Sequence, residues 1–161
     1  MTIKIDVLTN TKQWFEQAVP TPTKDTQRVQ IGVHFEECSE MLEVMEETST
    51  EDRYRIKLDA ATATLTNLAN TLKKNPDFEL QIKDRKELLD SLCDQIVTAT
   101  GVAHTFGFDI IGALAEVNRS NYSKFVNGVP QFNENGKISK GEFYSKPDLT
   151  PFLGNDPTLV H

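Results

Sequence analysis

Two short acidic motifs combine residue types and spacings that could hold a divalent cation. The first is Glu36-Glu37-Cys38-Ser39-Glu40, inside a long helical pattern, and the second is Glu87-Leu88-Leu89-Asp90, inside a later one. Side chains three residues apart share a face of a helix, so two such helices could direct four carboxylates into one space. Carboxylates at close range repel one another unless a cation lies among them. The first interpretation of these motifs is therefore a cation site.

The helical phase divides the acids in and just after the first motif into two groups. At about 100° per residue, the apolar side chains of this stretch fall on one arc. They are Ile31, Phe35, Cys38, Met41, Leu42 and Met45. Glu37 is expected on the buried side of the arc and Glu40 at its edge. Glu36, Glu43 and Glu47 fall well away from the arc, and Glu46 is likewise expected on the solvent side.

A solvated face is the usual explanation of a charge run, but it does not account for Glu37. A carboxylate directed toward a core is costly unless it is paired, protonated or bound to a cation. Because Glu37 and Glu40 are three residues apart, they could bind one ion together.

The later helix carries Glu87, Asp90 and Asp94 on one flank of its apolar side. Glu87 has an alternative role, since Asp84-Arg85-Lys86-Glu87 is typical of a capping box at a helix N-terminus. That alternative leaves Asp90 and Asp94 unexplained. From spacing alone, a cation site and a solvated flank both stay open.

A third group of polar residues continues the apolar stripe of the last helical pattern. Asn118 and Asn121 follow Ile110, Leu114 and Val117 at helical spacing. Amides on an inward stripe are either buried hydrogen-bond partners or ligand contacts. The neighbouring Lys124 could reach a phosphate as a point charge, which favours ligand binding for the set.

Five helical patterns must position these side chains. Their approximate bounds are 11–19, 24–47, 51–74, 85–106 and 110–125. They predict an all-α bundle of about four to five helices with an extended C-terminal arm. We expect a single domain, 1–161, with an N-terminal arm and short helix at 1–23, a helical core at 24–125 and a C-terminal arm at 126–161.

The C-terminal arm begins where the helical period is lost. Asn135-Gly136 predicts a tight turn, which would join Gln131-Phe132 to Lys137-Ile138 in a small hairpin. Several apolar residues further on indicate that part of the arm packs on the protein. They are Phe143, Tyr144, Leu149, Phe152 and Leu153.

Composition narrows the classes of function. The chain has 161 residues, 38% hydrophobic and 25% charged, which suits one globular domain. Its net charge of -7 argues against binding of a nucleic-acid polymer, because phosphate backbones attract clustered Lys and Arg. We expect no membrane span, because no apolar run approaches the required ~20 residues. The two cysteines, Cys38 and Cys93, lack metal-type spacing, and reduced thiols favour a cytoplasmic location.

The acidic motifs, in this order, resemble the EExxE…ExxD signature of the all-α nucleoside triphosphate pyrophosphohydrolases. That superfamily includes MazG-like proteins, dimeric dUTPases and phosphoribosyl-ATP pyrophosphohydrolase. The stretch from Glu116 to Phe125 resembles the segment that follows the metal helices in many MazG-like members. The segments 136–141 and 144–149 are similar to phage-type phosphoribosyl-ATP-pyrophosphohydrolase-like proteins. The resemblance covers about 24–153 and departs from the family in one respect, the 46 residues 41–86 between Glu40 and Glu87.

The resemblance assigns roles to these residues. It implies that Mg²⁺, with Mn²⁺ as a substitute, is bound by Glu37, Glu40, Glu87 and Asp90. Glu36 or Glu37 would activate a water, and Asp94 could hold a further ion or an ordered water. The nucleotide or its phosphates would be contacted by Asn118, Asn121 and Lys124.

The implied reaction is hydrolysis of a (deoxy)nucleoside triphosphate, or a related nucleotide, to the monophosphate and pyrophosphate. A homodimer or homotetramer is expected by the same resemblance, in the cytoplasm or, for a phage protein, in the host cytoplasm. The long interval between the acidic motifs keeps an alternative open: a non-catalytic regulator that binds a nucleotide or alarmone on the same fold.

Overall fold

The computed structural model describes residues 6–48, 52–132, 138–155 and 158. Within these ranges the chain forms five α-helices and a short 3₁₀ helix at Thr150–Phe152. The α-helices are α1 Val7–Ala18, α2 Lys24–Glu43, α3 Asp52–Lys74, α4 Arg85–Thr105 and α5 Ile110–Tyr122. The β pairing in the described residues consists of two isolated bridges. The predicted all-α fold of four to five helices is therefore confirmed.

The observed helix bounds differ from the predicted ones mainly in the first half of the chain. α1 begins at Val7 rather than at residue 11, because the Asp6 carboxylate caps it by accepting hydrogen bonds from two backbone N–H groups of the first turn. α2 begins after its predicted N-cap, Thr23, and ends at Glu43 rather than at residue 47. Glu46 and Glu47, the acids that come last in this stretch, therefore follow the helix instead of extending it.

The chain divides into two compact units. The first, called here the terminal unit, comprises Met1–Pro20 and Lys83–His161; the second, the hairpin unit, comprises Thr21–Ile82. The terminal unit contains α1, α4, α5 and the C-terminal arm, whereas the hairpin unit contains α2 and α3. The single domain expected for 1–161 stays a prediction.

The hairpin unit is a pair of antiparallel helices in close contact. The two helices approach closely at Gly32, where a Cβ atom would lie 3.0 Å from both the Ala69 carbonyl oxygen and the Leu72 Cβ. The buried Arg28 guanidinium donates to the Leu72 carbonyl near the end of α3 and to the Asp25 carboxylate. The last carbonyl groups of a helix lack hydrogen-bond partners within that helix. Here the Arg28 side chain of the neighbouring helix supplies a donor for one of them.

In the terminal unit, α1 packs against α5 through aromatic rings. The Trp14 and Phe125 rings are stacked with their centroids 5.9 Å apart, and the Tyr122 ring meets Phe125 edge-on at 5.7 Å. The Tyr122 hydroxyl also donates to the Asn10 carbonyl at 3.3 Å. These contacts join the N-terminal helix to a helix more than 100 residues later in the chain.

The C-terminal arm is attached along α5. The Asp148 N–H donates to the Glu116 carboxylate at 3.0 Å, and the Asp109 N–H donates to the Phe152 carbonyl at 2.9 Å. The Phe152 ring lies on Gly112, where a Cβ would approach it to 2.6 Å. The predicted packing of the arm is thus confirmed for Phe152, which is half-buried, but not for Phe143, Leu149 and Leu153, which are exposed.

The predicted hairpin of the arm is confirmed in its strand pairing. Phe132 and Ile138 form an antiparallel bridge, and the Ser139 N–H donates to the Gln131 carbonyl at 2.8 Å. The turn residues of this hairpin lie outside the described residues.

In the described part of the chain, no single helix combines the length and apolar character needed to cross a membrane. α4 and α5 meet that test only when counted as a pair, and they are bent by 116° relative to each other.

Candidate metal and nucleotide site

The acids of the first motif lie on α2, in the hairpin unit. Glu36 is half-buried and forms an ion pair with Lys73 of α3, whose side chain is only 7% exposed. Glu37 and Glu40 are exposed. The predicted phase of the helix is therefore wrong in two respects: Glu36 faces the neighbouring helix, and Glu37 lies on the open side.

The phase differs because small and polar residues, not the large apolar ones, form the contact between α2 and α3. The buried residues of α2 are Arg28, Gly32 and Ser39, which lie within about 40° of one another around the helix axis. Glu36 lies about 40° beyond the edge of that arc, on the side of Gly32, whereas Glu37 lies roughly 140° from Gly32. The large apolar arc of the sequence is only half-buried, and its member Met41 is exposed.

Lys73 is a polar residue of this region that the sequence analysis did not identify. Its aliphatic stem lies over Gly32, where a Cβ would be 2.9 Å from the Lys73 Cγ, and its ammonium group donates to Glu36. An ammonium group removed from water requires such a partner. The charge of Glu36 is therefore compensated within the hairpin unit.

The acids of the second motif lie on α4, in the terminal unit. Glu87, Asp90 and Asp94 are all exposed and share one flank of the helix. The capping role of Asp84 is confirmed, since its carboxylate accepts from the N–H groups of Lys86 at 2.8 Å and Glu87 at 3.1 Å. The Glu87 carboxylate is 3.7 Å from the Lys86 ammonium, a surface contact of small energy.

Asn118 is held by α1. Its side chain is almost completely buried, with 1% exposure, and both ends of the amide are used. The oxygen accepts from the Thr11 hydroxyl at 3.0 Å, and the nitrogen donates to the Val7 carbonyl at 2.9 Å. Of the two roles that the sequence left open, this geometry is that of the buried hydrogen-bond partner. Contact with a nucleotide stays a prediction for Asn118 and would require these bonds to be exchanged.

Asn121 and Lys124 are brought together at the end of α5. The Lys124 ammonium donates to the Asn121 side-chain oxygen at 2.8 Å and lies 5.8 Å from the centre of the Trp14 ring. Among the described residues, the indole N–H of Trp14 is buried without a hydrogen-bond partner. A cation, an amide and an indole thus adjoin one another, which is a set of groups able to contact phosphate and a planar ring.

In this part of the chain, Glu116 is the acid whose pKa differs most from its ordinary value. The Arg119 guanidinium donates two hydrogen bonds to it, at 2.7 and 2.6 Å, and the Asp148 N–H adds a third. These contacts, with Arg119 the largest cause, lower the pKa of Glu116 to about 2. The same contact raises the pKa of Arg119. Glu116 is therefore a structural anion that attaches the arm.

The acid pairs can supply oxygen ligands but do not form a complete cage within either unit. In the described part of each unit, no group of three or more His, Cys, Asp or Glu side chains is placed to hold a metal ion. Each motif contributes two exposed carboxylates three residues apart, Glu37 with Glu40 and Glu87 with Asp90. Such pairs fit Mg²⁺, which is commonly held by one or two carboxylates together with waters and substrate phosphates.

Comparison of the chain with protein-family models, with curated proteins and with solved structures found no match.

Proposed function

We propose that the protein is a Mg²⁺-dependent nucleotide pyrophosphohydrolase. It would cleave a (deoxy)nucleoside triphosphate, or a related nucleotide, to the monophosphate and pyrophosphate. The observation that carries this proposal is the repetition of an exposed carboxylate pair at i and i+3, once on α2 and once on α4. A triphosphate is polyanionic, and an acidic surface can bind it only through bridging cations.

The candidate residues have different roles in the proposed reaction. Glu37, Glu40, Glu87 and Asp90 would hold Mg²⁺ or its substitute Mn²⁺, with Asp94 able to bind a further ion or a water. When bound, the metal supplies charge neutralisation and lowers the pKa of a coordinated water. Glu36 or Glu37 would accept the proton of the water that attacks the α–β phosphoanhydride.

The remaining contacts have supporting roles in the proposal. The ion pair of Glu36 with Lys73 orients this part of α2. Asn121 and Lys124 would contact the phosphates, since the ammonium group is a point charge suited to them. Asn118 keeps α1, and with it Trp14, in place beside this pair.

The proposal includes the expected setting of the protein. Its partners would be the nucleotide and further copies of itself, in a homodimer or homotetramer. It would act in the cytoplasm, which for a phage protein is that of the host, without a membrane or a nucleic-acid polymer as partner.

A second candidate function is a regulator that binds a nucleotide or alarmone without hydrolysing it. The ion pair of Glu36 with Lys73 favours it, because one of the two acids proposed to activate water is already compensated. The group of Asn121, Lys124 and Trp14 lies wholly in the terminal unit and could bind a nucleotide without the acids of α2.

Incubation with a panel of nucleoside and deoxynucleoside triphosphates tests the proposal. With Mg²⁺ or Mn²⁺ present, we expect pyrophosphate release from at least one triphosphate, and a loss of about 100-fold or more in Glu40→Gln. Glu43→Gln is the matched control, because this acid is exposed on the same helix but outside the motif. Calorimetric binding of a nucleotide without pyrophosphate release would support the regulator instead, and activity unchanged in Glu40→Gln would refute the assigned metal site.

A further inference from the structure

The C-terminal arm lies along α5 in a defined register. Four positions on α5 or at its end receive the arm, and they lie within about 60° of one another around the helix axis. These positions, called here the α5 stripe, are Gly112, Glu116, Arg119 and Ser123. The segment that they hold, residues 145–154, is called here the strap. The strap runs antiparallel to α5, because Ser145 meets Ser123 at one end and Phe152 meets Gly112 at the other.

The stripe holds the strap mainly through backbone groups of the strap. Three hydrogen bonds of 2.9–3.0 Å join the Ser145 N–H to the Ser123 hydroxyl, the Arg119 guanidinium to the Lys146 carbonyl, and the Asp148 N–H to the Glu116 carboxylate. At the far end, the Phe152 ring lies on Gly112 and the Phe152 carbonyl accepts from the Asp109 N–H at 2.9 Å. The contact between strap and helix is thus a series of polar bonds that ends in one aromatic ring.

These contacts hold the strap with little burial. Of residues 145–154, only Phe152 is half-buried, and the other described ones are exposed. An exposed hydrogen bond makes a small net contribution to stability, because water replaces it when it opens. Segments with few buried apolar contacts open at a lower free energy than the whole protein unfolds. α5 differs from the strap in this respect, since its buried Asn118 bonds to α1 on both ends of the amide.

The contacts of the strap also depend on one another. Along the strap, the contacts at Ser145, Lys146, Asp148 and Phe152 are one, two and four residues apart. A contact that is made keeps the next one within reach, which raises its effective concentration. Because each contact is weak alone, the loss of one end is expected to weaken the hold on the other.

We propose that residues 145–154 leave and rejoin the α5 stripe as one unit while the helices stay folded. When closed, the strap bonds to Asp109 at the N-cap of α5 and to Ser123 at its C-cap, and it therefore braces both ends of this helix. Opening removes a hydrogen bond from the residue that precedes Lys124, and only this consequence rests on the proposed function. A strap that opens in a protein without hydrolytic activity retains the inference and refutes the activity, whereas an active protein whose strap never opens does the reverse.

Residue-resolved hydrogen exchange of the natural protein gives the first test. We expect the amides of Ser145, Asp148 and Asp109 to be protected and to share one opening constant. The amides in the middle of α5 should exchange more slowly by about 10-fold or more. Unprotected amides at Ser145 and Asp148 would mean that the strap is not docked. Exchange of these amides as slow as that of the middle of α5 would mean that the strap opens only when the protein unfolds. Either result overturns the proposal.

Two variants at opposite ends of the strap give the second test, each measured at the end that is not substituted. Phe152→Ala should accelerate exchange of the Ser145 amide by about 10-fold, because it removes the aromatic contact. Ser123→Ala should accelerate exchange of the Asp109 amide by about 5-fold, because it removes one hydrogen bond. Since the observed amide is far from the substitution, its intrinsic exchange chemistry is unchanged.

Phe143→Ala is the matched control for these variants. Phe143 lies in the same arm, outside the strap, and is 68% exposed, which predicts no change at either amide. Circular dichroism checks that the three variants keep their helices. Acceleration confined to the amide beside each substitution would show that the contacts open independently and would overturn the single unit.

Discussion

α2 and α4 each carry an exposed pair of carboxylates at i and i+3, yet the two helices are held very differently. α2 lies against α3 through Gly32 and Ser39, with the Lys73–Glu36 ion pair beside them. α4 has one buried residue in 21 and few contacts with α5. The α2 acids therefore lie on a helix that is held by the hairpin unit, whereas the α4 acids lie on a helix that is exposed along almost all of its length. The same spacing of acids thus occurs once on a closely packed helix and once on an open one.

Two helical glycines offer the sharpest way to test this difference. Gly32→Ala adds a Cβ within about 3 Å of three atoms, one of them a backbone oxygen, and we expect it to lower the free energy of unfolding by about 1–3 kcal/mol. Gly101→Ala on α4 meets nothing within 4 Å and should raise stability by up to about 1 kcal/mol, because alanine loses less backbone entropy in a helix.

Denaturant unfolding followed by circular dichroism measures both effects. Gly32→Ser serves as a check on size, since it adds a similar volume with a polar end. If Gly32→Ala and Gly101→Ala changed stability in the same direction, the contrast between a closely packed α2 and an open α4 would be wrong.

The two lysines that pair with motif acids give the next largest effect. Lys73→Met leaves the half-buried Glu36 carboxylate without its ammonium partner, and we expect a loss of about 1–3 kcal/mol, below the full cost for a completely buried pair. Lys86→Met removes an exposed partner 3.7 Å from Glu87 and should change stability by less than about 0.5 kcal/mol.

A double variant separates the ion pair from the packing of the Lys73 stem. Lys73→Met/Glu36→Gln removes both charges, so it should recover part of the loss seen in Lys73→Met. Calorimetric unfolding of the natural protein, of Lys73→Met, of Glu36→Gln and of the double variant completes the double-mutant cycle. A double variant as unstable as the sum of the single ones would show that the contribution of Lys73 comes from its stem alone.

The helices could be predicted from local signals, whereas the sides that they bury could not. The residues that mark the helix ends lie at those ends or within a few residues of them. They are Pro20, Pro22 and the N-caps Thr23 and Asp84. The large apolar residues of α2 indicate the wrong buried side. The two helices approach at Gly32, whose small size gives no hydrophobic signal. Only the facing surface of α3 identifies it as the contact.

The surroundings of the candidate site could not be predicted from the sequence either. The acids could be identified from their spacing, but the compensation of Glu36 depends on Lys73, which lies 37 positions later. Likewise, Asn118 bonds to Thr11 and Val7 across more than 100 positions. Nothing near these residues in the sequence predicts such partners, because they are set by how the helices pack. The spacing of an acid pair therefore predicts a possible ligand set but not its surroundings.

The smallest effect concerns α5, the helix along which the C-terminal arm is attached. The contacts of Arg119 and of the Asp148 N–H lower the pKa of Glu116 from its ordinary 4.5 to about 2. A carboxylate whose pKa is lower in the folded protein contributes stability above its unfolded pKa, and this contribution is lost as the pH falls through the folded pKa. We therefore expect the natural protein to exceed Glu116→Gln in stability above pH 4.5 and the difference to decrease toward pH 2, as measured by urea unfolding in steps of pH.

Glu142→Gln is the matched control for this pH dependence, because Glu142 is an exposed acid in the arm itself. The stability difference between this variant and the natural protein should change little over the same range of pH. A Glu116→Gln difference that stayed constant down to pH 2 would mean that Glu116 attaches the arm through its shape rather than its charge. In that case the arm would be held on α5 by packing, as α2 is held on α3 at Gly32, rather than by charge.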